Sequence, residues 1–261
     1  MKSKSFYRFS VTFLFGLSLF SVPSHAESTD SCLAPGRNTQ TCFEMKQIRS
    51  ALNLIDAQRD LMQLNYPYLE AVSQDLNFVL SSIIIRSESN PHMGPLSAVR
   101  NQVSLLGSQA AAQDIRAVQT GNEIRSKCLA CHAAEVAPAG RSWDEISKGS
   151  WDTQSKICLE EGHNPYVCRS MLAMLAPLTY INAAERNNYQ SYVMTEKVAD
   201  EVGRIAKDMS QKKVLHSADL PFEQIALEAA VVATMAKNQN PAVFGYASNL
   251  RNSCMYCHGE Q

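Results

Sequence analysis

The chain repeats itself at an offset of 126 residues, so whatever fold the first half adopts the second half must adopt as well. Cys32 and Cys158, Cys42 and Cys168, Cys128 and Cys254, Cys131 and Cys257, and His132 and His258 all stand 126 positions apart. Leu33 and Leu159, Gly36 and Gly162, Met45 and Met171, Ile55 and Ile181, Tyr66 and Tyr192, Pro95 and Pro221, and Arg125 and Arg251 keep the same register. Chance does not align so many positions at one offset, which makes the two halves copies. The first domain is expected at 27–135 and the second at 156–261, with a linker at 136–155 around Pro138-Ala139-Gly140. That linker holds a local echo, Ser142-Trp143-Asp144 and Ser150-Trp151-Asp152, whose tryptophans are more simply read as packing groups than as parts of an electron path.

Within each copy, apolar residues recur at steps of three and four, and alternating β-branched runs are scarce, which predicts an all-α chain. Met45, Ile48, Leu52 and Ile55 form one such stripe, and Met171, Leu175, Leu178 and Ile181 form its counterpart. The pattern predicts helices at 42–64, 67–87, 95–113 and 115–133, then at 168–187, 190–212, 221–238 and 241–258. Pro95 and Pro221 suit a first helical turn, where the missing N–H had no partner to lose. Asn90-Pro91-His92-Met93-Gly94 breaks the chain between the second and third helices. Four helices of about 20 residues with short connections favour antiparallel neighbours, and hence two tandem four-helix bundles in up-down-up-down order.

At the N-terminus Lys2, Lys4 and Arg8 precede an apolar run from Val11 to Val22, and Ser24-His25-Ala26 follows with small residues at the −3 and −1 positions. This pattern predicts a cleaved export signal over 1–26. The apolar run is shorter than the roughly 20 residues a membrane helix needs, and no later stretch qualifies, so no stable membrane insertion is expected. Removing three of the 24 Lys and Arg leaves 21 against 25 Asp and Glu, a net charge of −4 for the mature chain. An acidic balance argues against nucleic acid and favours protein partners with basic surfaces. The length that remains is enough for two modest domains with separate cores.

All eight cysteines lie beyond residue 26. Four of them belong to Cys128-Leu129-Ala130-Cys131-His132 and Cys254-Met255-Tyr256-Cys257-His258. Covalent haem attachment needs two thiols that reach the vinyl groups of one porphyrin and an imidazole that reaches the iron. Positions i, i+3 and i+4 share a helix face, so this spacing suits both needs. A single CxxCH competes with half of a zinc site or a dithiol redox centre. Two copies in register, in an exported helical chain with no βαβ pattern, point to two haems c, with His132 and His258 as proximal iron ligands. The other four cysteines are even in number, and an oxidising compartment would pair them. Cys32 with Cys42 and Cys158 with Cys168 each close a small loop, worth roughly 2–3 kcal/mol in the chain-entropy account.

Only Gly259, Glu260 and Gln261 follow His258, so the cover of the second haem is expected from chain that precedes the motif. That excludes the common small cytochrome arrangement, in which the motif opens the domain and a distal Met follows. It also disfavours a dihaem peroxidase built from such domains. A four-helix unit with CxxCH at the end of its last helix resembles the class II c-type cytochromes, the cytochrome c′ group. The cysteine pair at each domain start and the tandem arrangement are additions to that single-domain pattern.

In the predicted bundle the end of the fourth helix lies level with the start of the first and with the loop between the second and third. Met45 and Met171 lie in the first turns of their expected helices and are repeat partners. The resemblance implies a distal Met from this early part of helix one, where a sixth ligand exists. On residues alone both read more simply as core methionines. His92 and His216, in the loops between second and third helices, are rival ligands at an offset of 124, and an apolar residue over an open iron position is the remaining option. His163, between two cysteines, reads as a surface residue.

Together these features predict a dihaem electron carrier in the periplasm of a Gram-negative-type bacterium, passing electrons between redox proteins. A His/Met pair would raise the potential relative to bis-His. No general base, nucleophile or substrate pocket stands out, so no enzyme is expected. A gas-binding haem protein, holding nitric oxide, carbon monoxide or oxygen, is the alternative, and a haem peroxidase or other redox enzyme a third.

Overall fold

The computed structural model describes residues 39–61, 64–86, 93–136, 155–162, 164–186, 189–212 and 222–256. Every long regular element among them is a helix: α1 Thr39–Asp60, α2 Tyr66–Arg86, α3 Met93–Ala111, α4 Arg116–Val136, α5 Pro165–Arg186, α6 Tyr192–Gln211, α7 Phe222–Lys237 and α8 Val243–Tyr256. Each helix end falls within four residues of the position read from periodicity. The segments 1–38, 87–92, 137–154 and 213–221 lie outside the described residues, and with them the expected export signal, Cys32, His92, both tryptophans and His216.

Short polar side chains start the helices. Ser191 Oγ accepts the Met194 N–H at 3.1 Å, Asp114 Oδ1 accepts Arg116 N–H at 2.9 Å, and Asn164 Oδ1 accepts Tyr166 N–H at 3.1 Å. Each satisfies a backbone donor that has no partner within its own helix. The duplication also shows in the backbone. Gln113 and Gln239, repeat partners, are the non-glycine residues with positive φ, at 54° and 51° among the described residues. They end α3 and α7 in the same way, with a bond from Asp114 N–H to Gln109 C=O in one copy and from Asn240 N–H to Met235 C=O in the other.

Each copy closes a ring. α1 packs on α2 and α4, α2 on α3, and α3 on α4; α5 packs on α6 and α8, α6 on α7, and α7 on α8. α1 and α4 run antiparallel, because Asp56 pairs with Arg125 while Arg59 Nη1 donates to Asn122 Oδ1 at 2.9 Å. They also come close. A Cβ at Gly121 would stand 2.4 Å from Ile55 Cγ2, so a side chain there would push α4 off α1.

The expectation of separate cores does not hold. One continuous apolar cluster runs through both copies, because α1 packs on α5 and α2 on α6. α1 is buried on more than its apolar stripe: Glu44, Gln47, Ser50, Asp56 and Gln58 are buried beside Ile48, Leu52 and Ile55. Polar groups tolerate such burial only when bonded; Glu44 and Asp56 pair with Arg86 and Arg125 of the first copy, and for Gln47 and Gln58 the second copy supplies partners. Gln47 Nε2 donates to Tyr180 Oη at 2.9 Å, Asn65 Nδ2 donates to Glu201 Oε2 at 2.9 Å, and Gln58 Nε2 donates to Glu201 Oε1. Phe78 stacks on Tyr189 with ring centroids 4.5 Å apart.

Three finer expectations need correcting. α1 and α5 begin three residues earlier than read, at Thr39 and Pro165, so Met45 and Met171 occupy second turns rather than first ones. Pro95 does stand in the first turn of α3, but α7 starts at Phe222, after Pro221. Val136, assigned to the linker, is the last residue of α4. No helix among the described residues is long and apolar enough to cross a membrane.

Candidate functional site

The first CxxCH segment lies wholly within α4, and α8 carries the second as far as Tyr256. Cys128 and Cys131 are both half-buried, and Cys128 packs against the apolar core. Burial pushes the Cys128 thiol up to about 11, the neighbouring Cys131 adds to the rise, and Arg125 opposes it. Desolvation dominates, as expected for a thiol facing hydrocarbon rather than water. Cys128 and Cys131 stand three residues apart on α4, on one face of the helix. The side chains of His132 and Cys254, and all of Cys257 and His258, lie outside the described residues. Among the described residues no three His, Cys, Asp or Glu gather into a metal site.

Extending the α1–α4 register from the Asp56–Arg125 and Arg59–Asn122 pairs places residue 132 beside residue 49 of α1. Met45 is then about one helical turn further along, at the same end of the first ring. Met45 and Met171 are both half-buried and both pack against the core. The structure thus keeps the two methionines equivalent and brings Met45 to the end of the ring where the first motif lies.

Cys158 and Cys168 form a disulfide with Cα atoms 5.3 Å apart, tying a turn of helix at 155–157 to the start of α5. Cys42, in the first turn of α1, is also disulfide-bonded. His163 lies outside the described residues.

Residue reading alone missed the polar lining beside the first motif. Arg125, buried, forms an ion pair with the buried Asp56 and donates from Nη2 to Asn53 Oδ1 at 3.1 Å. The available signal was an arginine repeated three residues before each motif, facing a helix whose apolar stripe is interrupted by an aspartate. No protein-family model matches the chain, and neither does any curated protein or solved structure.

Proposed function

We propose that the chain is a dihaem c-type cytochrome that carries electrons between redox proteins outside the cytoplasm, each ring of four helices being a class II-like bundle around one haem. What carries this reading is the duplicated CxxCH, with Cys128 and Cys131 together on α4 at the edge of an apolar core. Cys128 and Cys131 would hold one haem and Cys254 and Cys257 the other, with His132 and His258 as the proximal ligands. Bound in this way, haem supplies reversible one-electron chemistry whose potential the protein sets through axial ligation and burial.

The chain's own groups divide the remaining work. The apolar side chains of each ring exclude water and lower the local dielectric. Met45 and Met171 are the proposed distal ligands, soft thioethers that favour the ferrous state and occupy the position an external gas would need. The Cys158–Cys168 disulfide, and the proposed Cys32–Cys42 bond, fasten the chain just ahead of the helices that carry these methionines.

The test begins with the intact mass of the exported protein, expected to equal the chain from about Glu27 plus two haems. Replacing Cys254 and Cys257 with Ala should leave one. Met45→Ala and Met171→Ala should each lower the potential of one haem and open it to carbon monoxide, read on the folded fraction. An unchanged low-spin spectrum in both variants would remove the methionines as ligands and leave His92 and His216 to be tested. Native protein that binds carbon monoxide at both irons would point to gas binding instead.

A further inference from the structure

We propose that positions 56 and 182 give the two haem sites different redox potentials: Asp56 compensates Arg125 in the first copy, whereas Arg251 has no carboxylate partner among the described residues of the second, which makes its haem the easier to reduce. This rests on the dihaem reading above.

Arg125 and Arg251 stand three residues before the first cysteine of their motifs, so each lies one turn away on the same helix face. In the first copy Asp56 is buried against Arg125, and the pair is electrically neutral. Arg125 stands near enough to the attachment thiol to oppose the upward effect of burial on Cys128. In the second copy the place of Asp56 is taken by Asn182 and that of Asn53 by Thr179. Thr179 turns its hydroxyl to its own helix, donating to Leu175 C=O at 2.9 Å. α5 packs on α8 as α1 packs on α4, yet no carboxylate among the described residues pairs with Arg251, whose Nε, like that of Arg125, is buried without a hydrogen-bond partner.

Arg59 and Asp60 cancel in the first copy, as do Glu185 and Arg186 at the matching places. The difference at positions 56 and 182 is one carboxylate, present against Arg125 and replaced by an amide in the second copy. Reduction lowers the charge of the iron centre by one, so a cation held nearby stabilises the reduced form. The duplication thereby gains a direction: an electron on the protein rests on the second haem.

Potentiometric titration of holoprotein whose mass shows two haems tests this. The Cys254→Ala, Cys257→Ala variant, keeping only the first haem, assigns the waves. The internal equilibrium should favour the second haem by at least about tenfold, which for one electron is a separation of about 59 mV. Asn182→Asp supplies the missing carboxylate and should lower the second wave by a similar factor without moving the first. Asp56→Asn should raise the first wave. Because it strands a buried guanidinium and can unfold the first copy, Asn182→Asp is the deciding variant. Coincident waves in the native protein, or a second wave unmoved by Asn182→Asp, would overturn the proposal while leaving a dihaem protein in place. A mass without haem would overturn both readings.

Discussion

Asp75 on α2 and Glu201 on α6 are repeat partners, both buried at the contact between the copies, yet their surroundings are opposite. Glu201 receives Asn65 Nδ2 from the first copy at 2.9 Å, and Arg204 grips it through Nε at 2.8 Å and Nη2 at 2.6 Å. Where the second copy has Arg204, the first has Phe78, which stacks on Tyr189. Asp75 therefore lacks that cation. It accepts Gln47 Nε2 at 3.2 Å and has the Tyr189 hydroxyl beside it, and burial pushes its carboxyl up to about 6. Each second helix thus reaches the connection between first and second helices of the other copy. This reciprocity is that of an isologous dimer. Joined in one chain, the two sides were free to diverge, one keeping an ion pair and the other an aromatic stack.

The comparison can be broken most severely at the α1–α4 contact. Asp56→Asn removes one partner of a buried ion pair and should cost about 3–5 kcal/mol. The matching change Asn182→Ala should cost about 1 kcal/mol, as ordinary substitutions do. Urea unfolding of both variants measures the gap, and equal losses would mean that the copies do not differ in buried charge.

A middle-sized effect is expected at the interface carboxylates. Glu201→Gln gives up charge-assisted bonds to Arg204 and should cost about 1.5–3 kcal/mol. Asp75→Asn, which relieves the burial of a charge, should leave stability at pH 7 unchanged or raise it. A larger loss for Asp75→Asn than for Glu201→Gln in the same unfolding assay would reverse the contrast.

The smallest effect follows from the raised pKa of Asp75. A carboxyl that titrates near 6 in the folded chain, above its ordinary 3.8, binds its proton more tightly when folded. Its contribution is complete below about pH 3.8 and is lost as the pH rises through 6. Between pH 7 and pH 5 the native protein should therefore gain about 1 kcal/mol relative to Asp75→Asn. Parallel stability curves for the two proteins across that window would show that Asp75 is ordinarily solvated.

Much of this molecule is local information. Helix positions follow from apolar residues at steps of three and four, because a helix needs only its own backbone bonds and one apolar face. The CxxCH motifs are equally local: three side chains on one turn would carry the proposed haem chemistry, and the offset of 126 residues doubles them. How the copies meet was not local. Gln47 and Gln58 lie off the apolar stripe of α1, yet they are buried, and their partners Tyr180 and Glu201 lie 133 and 143 residues away. Likewise Asp56 is an unremarkable acid on α1 until the antiparallel packing of α4 sets it against Arg125. Periodicity records which face of a helix is apolar. Only tertiary packing decides which polar groups on the other faces are taken out of water, because that depends on where a distant helix brings a matching donor or charge.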